Sequence, residues 1–282
     1  MTGATVAQTP RTWRPMVLWT AGILLAIGAA WFVGAVAVPV WRADCTMAQY
    51  DDLKRHASYP WQGLRQSIED LGGEDAAARK LGLYLRMPGW AAGHKVVALE
   101  ILAHCGKLAL PAFRDALGSR DTGVRGAAVF HLPELCGGDA GLEGAVVPMV
   151  AAMAKDPAVL VRLMTIDGLG ALAGKGKHPG EPPDPEVLLA LIALLFDADA
   201  GVRWHAVETL TSPKGAIPYE MALKNARYCL RTNDEERKEQ AGNAAQRSIP
   251  VLERLAGSQN RDVRAAAVEA LKKIRGGEAA KP

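Results

Sequence analysis

Histidine and cysteine are the residue types in this chain best suited to holding a metal or supplying a nucleophile. There are six histidines and four cysteines, Cys45, Cys105, Cys136 and Cys229. Two couples stand close in sequence, His104 with Cys105 and His131 with Cys136. Zinc is held by sets such as Cys-x-x-Cys or His-x-x-x-His, and neither spacing occurs around them. Adjacent residues on a helix point about 100° apart, so His104 and Cys105 do not readily share one ion. Cys105 and Cys136 fall ten and eleven residues past Lys95 and Arg125. Such near-equivalent positions permit a disulfide in an oxidising compartment, or two small buried apolar side chains at helix ends. No Ser/His/Asp set stands out. Gly174-Lys-Gly-Lys177 is not a phosphate loop, since no Ser or Thr follows the lysine and a helix precedes it. No catalytic residue, metal or cofactor is expected.

The residues that do recur are Asp, Val and Arg. Asp121-Thr-Gly-Val-Arg-Gly-Ala-Ala-Val-Phe-His-Leu132 reads as a turn followed by a helix. Asp121 can cap that helix by accepting from an orphan backbone N–H. Val124, Ala128 and Leu132 share a face at a spacing of four, with Arg125 one residue off it. Asp199-Ala-Gly-Val-Arg203, Asp262-Val-Arg264 and Asp156…Val161-Arg162 repeat the pattern, with fainter copies around Lys95 and Arg237. Pro111, Pro148 and Pro250 each lie fourteen residues before Arg125, Arg162 and Arg264. Proline is tolerated in a first helical turn, so these prolines are expected to mark helix starts. The unit is therefore helix, turn, helix, repeated every thirty to forty residues, which is the mark of stacked hairpins.

In its Asp-x-x-Val-Arg-x-x-Ala starts and the prolines before them, the chain resembles the HEAT repeats, and in particular the short HEAT-like repeats of phycobilin lyase relatives. The resemblance covers about residues 78–275. It implies an all-α solenoid, a right-handed array of five or six helical pairs. It also implies that Arg125, Arg162, Arg203 and Arg264 are structural, tying neighbouring repeats together with the repeated Asp, and that the second helices line a concave face. On that face Phe130, His131, Leu163, Trp204, His205 and Glu208 are the expected partner-binding residues. Trp204 is either an exposed apolar anchor near Leu163 or a ring buried between repeats. Some HEAT-like enzymes bind di-iron through His-Glu pairs, but no His here is followed by Glu.

The remaining segments frame the array. Residues 1–15 read as a flexible N-terminal tail. Met16–Val38 carries no charge, and at about 1.5 Å per residue it spans a hydrocarbon core of about 30 Å. Trp13-Arg14-Pro15 and Pro39-Val40-Trp41-Arg42 flank it as interfacial residues would. Residues 16–40 thus read as a single-pass membrane helix in contact with lipid, the alternative being a signal peptide cut near Ala35-Val36-Ala37. The soluble part is expected on the outer side. Gly22, Ala26, Ala30 and Gly34 form a small-residue stripe that would allow self-association or packing against another membrane subunit. Residues 43–77 read as capping helices, 174–185 as a loop leaving the stack, and 276–282 as a tail.

Charge narrows the partner class. The net charge is +3, and setting aside Arg11 and Arg14 leaves 31 Lys and Arg against 30 Asp and Glu. A domain this neutral lacks the basic footprint of a nucleic-acid binder. The expectation is a membrane-anchored scaffold or accessory subunit with a protein partner near the bilayer. The alternative is a lyase-like enzyme with a pocket on the concave face.

Overall fold

The structure, a computed structural model, describes residues 27, 29, 32, 37–38, 43–47, 60–87, 92–137, 140–174, 183–211, 219–231 and 234–276. Every regular element among them is helical. In chain order the helices are α1 (Pro60–Asp70), α2 (Glu74–Arg86), α3 (Ala92–Leu102), α4 (Leu110–Leu117), α5 (Thr122–His131), α6 (Ala140–Ala152), α7 (Val159–Gly174), α8 (Pro185–Leu194), α9 (Ala200–Thr211), α10 (Tyr219–Arg231), α11 (Asp234–Leu255) and α12 (Arg261–Arg275). Among the described residues no helix is long and apolar enough to cross a membrane. Most of the 16–40 segment lies outside those residues, and so do Gly22, Ala26, Ala30 and Gly34.

The repeated pattern builds the second helix of each hairpin. Asp121 sits in an extended conformation and accepts from Val124 N at 3.0 Å, starting α5. Asp199 does the same for α9 through Val202 N at 3.1 Å. In α12 the cap is Asn260, bonded to Asp262 N and Val263 N. The residues one before, three after and seven after the arginine are buried in all four good copies: Val124, Ala128, Leu132; Val161, Thr165, Leu169; Val202, Ala206, Leu210; Val263, Ala267, Leu271. The one hydroxyl in this set, that of Thr165, donates to Val161 O at 2.7 Å and so is buried at little cost.

Two rows of helices share the core. α3, α5, α7, α9 and α11 each pack against the next, and this is the row of second helices. On one side of it α2 packs on α4, and α6 on α8. Gly168 permits the closest approach: a Cβ there would meet Val129 O of α5 at 2.9 Å.

Two expectations need correction. Pro111 stands in the first turn of α4, but Pro148 lies inside α6 and Pro250 inside α11. A proline inside a helix removes one i→i−4 bond, which both helices absorb without breaking. At Pro250 the second helix of one unit and the first of the next are thereby fused into α11. The regular order of the array also fails at the fainter copy around Arg237, which lies in α11. α11 continues the second-helix row beside α9. α10 packs instead against α7 and touches α5 and α9, while α12 stands next to α8. Lys273 of α12 places Nζ 5.1 Å from the centre of the Phe196 ring, just beyond the end of α8.

Candidate interaction surface

Each hairpin turn is gripped by the arginine that follows it. Arg125 Nη1 donates to Ser119 O and Arg120 O, Arg162 Nη1 to Asp156 O and Pro157 O, and Arg203 Nη1 to Asp197 O and Ala198 O. Arg264 Nη1 reaches Ser258 O. These carbonyls end or follow a helix and lack intrahelical donors, so the guanidinium closes the turn.

The remaining edge of the guanidinium works between hairpins. Arg125 Nε and Nη2 donate to Asp156 Oδ2 and Oδ1 at 2.8 and 2.9 Å. Arg162 repeats this with Asp197 at 2.7 and 2.8 Å. Both pairs are bidentate and largely shielded from water, a geometry in which arginine is stronger than lysine. Burial alone would push the Asp156 carboxyl up. The bonds from Arg125 and from Ala158 N, with the charges of Arg125 and Arg162, outweigh burial and hold it below the usual carboxylate range. The bond to Asp156 in turn raises the Arg125 guanidinium.

The expected concave-face residues are placed unequally. Leu163 is wholly buried, and Phe130 and His131 nearly so, at 6% and 2% exposure. Their side chains belong to the core between helices, which leaves little of them for a partner to touch. Phe130 meets the His131 ring edge-on at 5.1 Å, and His131 Nδ1 lies 3.2 Å from Glu134 Oε2. Trp204 is partly buried, packed against the core and stacked on the His205 ring at 6.3 Å. His205 Nε2 lies 2.8 Å from Asp167 Oδ1, bridging α9 and α7. Glu208 accepts from Arg247 of α11. Of the six, Trp204, His205 and Glu208 retain surface, and they stand together on α9.

Sequence reasoning missed Asp167 and Asp44, because each finds its partner far along the chain. Asp44 Oδ1 accepts from Tyr84 Oη at 2.9 Å and lies 2.7 Å from His94 Nδ1. With Ala43 and Met47 fully buried, this fixes residues 43–47 against α2 and α3. Burial first, then the bond to Asp44 and its charge, push the Tyr84 phenol above its usual range.

Cys105 and Cys136 are both buried, each as a thiol and not as half of a disulfide. Burial, with a contribution from Glu74, pushes the Cys105 thiol up to about 11. No group of three His, Cys, Asp or Glu among the described residues is placed to hold a metal ion. A cleft of about 410 Å³ opens between α2 and α4, lined by Asp75, Arg79, Leu83, Arg86 and Leu108. It opens beside the first helices, not on the second-helix row. The chain matches no family model and no curated protein.

Proposed function

We propose that this chain is a membrane-tethered array of HEAT-like hairpins that serves as a scaffold or accessory subunit, holding a protein partner near the bilayer. The observation that carries the reading is where the polar side chains are spent. Asp44 with Tyr84 and His94, Arg125 with Asp156, Arg162 with Asp197, and Asp167 with His205 each join separate segments of the fold. Groups that could have done chemistry are committed to holding helices in register, and what such an array offers is surface. The tether is supported by the uncharged run of residues 16–38, in which Ile27, Phe32 and Val38 are exposed. Asp44, six residues past that run in sequence, is bonded to Tyr84 of α2 and lies 2.7 Å from His94 of α3.

The test uses the tagged full chain in its native membranes. After an alkaline wash the chain should remain in the membrane pellet. After mild solubilisation it should purify with a second protein in fixed ratio. Release by the wash, or recovery of the chain alone as a monomer after gentle cross-linking, overturns the proposal.

A further inference from the structure

We infer that the side of the second-helix row centred on α7 is a groove for a helix, that α10 fills it within the chain, and that an amphipathic helix of the protein partner takes the place of α10 there. Neither row includes α10. It falls between α9 and α11 in sequence, yet those two pack directly on each other, and α8 and α12 do the same in the other row. α10 lies instead against α7 and reaches α5 and α9, all of them second helices.

The surface beneath α10 is suited to such a neighbour. Between Val159 and Gly174 the only charged residues of α7 are Arg162 and Asp167. Both are engaged sideways with the next hairpin, Arg162 with Asp197 and Asp167 with His205. Leu163 and Gly170 fall on the far side of α7 from the Val161, Thr165 and Leu169 face, and they are buried too. A helix that is apolar all round has to be covered all round. α10 meets this surface through small side chains. Ala222 and Ala226, one turn apart, are buried, while Met221, Lys224, Asn225 and Arg227 are exposed. Recognition of a helix in a groove uses anchors at this spacing, so a partner helix with a small apolar stripe fits the same seat.

Naming a partner helix rests on the scaffold reading, but the groove and its occupant do not. The probe is a fluorescent peptide of residues 219–231. It is added to the full chain in detergent, either as wild type or with those residues replaced by a Gly-Ser run of equal length. The replaced chain should bind the peptide saturably by fluorescence anisotropy. The wild type should bind it at least about tenfold more weakly, because its tethered α10 competes at an effective concentration in the mM range. A peptide carrying Ala222→Arg and Ala226→Arg should not bind, and that change cannot unfold the chain. Three results overturn the inference: a replaced chain that unfolds cooperatively yet ignores the peptide, a wild type that binds as tightly as the replaced chain, or equal binding of the substituted peptide. Hydrogen exchange on the wild type gives a reading that does not depend on the replaced chain folding. Amides of α10 should exchange at least about tenfold faster than those of α7, through local opening. Amides of α10 that exchange only as fast as those of α7 overturn the inference as well. Recovery of the chain alone from its membranes would instead count against the scaffold alone.

Discussion

Arg125 and Arg162 each do two things with one side chain: Nη1 closes the turn behind, and Nε with Nη2 holds the aspartate ahead. Desolvating the two charges of such a pair offsets much of their attraction, so its net contribution to stability is modest, but removing one partner costs about 3–5 kcal/mol. Asp156 gives this a pH signature. Its folded-state carboxyl titrates below the ordinary value of about 3.9, so the stabilisation is complete above that value and is lost as pH falls through the folded one. Asp156→Asn should therefore be less stable than wild type by about 3 kcal/mol in urea unfolding at pH 7, with the gap constant to about pH 5 and shrinking below pH 4. A gap unchanged at pH 3 would mean that the carboxylate charge contributes nothing. At this scale the local features were legible: the Asp121 cap and the Val124, Ala128, Leu132 face follow from spacing within one turn or two. Asp44 with His94, and Asp167 with His205, were not, since partners 50 and 38 residues apart meet only through packing that no local pattern encodes.

Helices are where sequence and structure part most clearly. Proline read as a helix start holds at Pro111, where the ring sits in the first turn, and fails at Pro148 and Pro250, which are exposed and lie inside helices that continue past one lost backbone bond. The placement of α10 against α7 was hidden for a related reason. Its stripe of Ala222 and Ala226 reads as ordinary helix and does not say which neighbour it will meet. Gly168 was passed over entirely, yet it sets the spacing of α7 and α5, because a Cβ there would lie 2.9 Å from Val129 O. Backbone cannot move aside as a flexible side chain does. Gly168→Ala should lower unfolding stability by about 2 kcal/mol despite the better helix propensity of alanine. Gly144 in α6 has nothing within 4 Å of a built Cβ, so Gly144→Ala should be neutral or stabilising by up to about 1 kcal/mol. Equal effects at the two sites would show that the α5–α7 approach is looser than described.

For the molecule as a whole, what the sequence displayed was its second helices. Each repeats an apolar face around an arginine, and each packs on the next from α3 to α11. The other row was less legible, because α12 takes a place that chain order would have given to α10. The scaffold reading depends on neighbouring hairpins being energetically joined, so that surface residues on different repeats keep fixed positions for a partner. Arg162 and Asp197 are the side chains that make this join across α7 and the turn before α9. The most direct measurement is a double-mutant cycle on the full chain in urea, with Arg162→Met, Asp197→Asn and the pair together. A coupled array predicts an interaction of about 2 kcal/mol or more between the two sites. Two single losses that add to within about 0.5 kcal/mol of the double loss would show that the hairpins are not joined there, and would contradict the account.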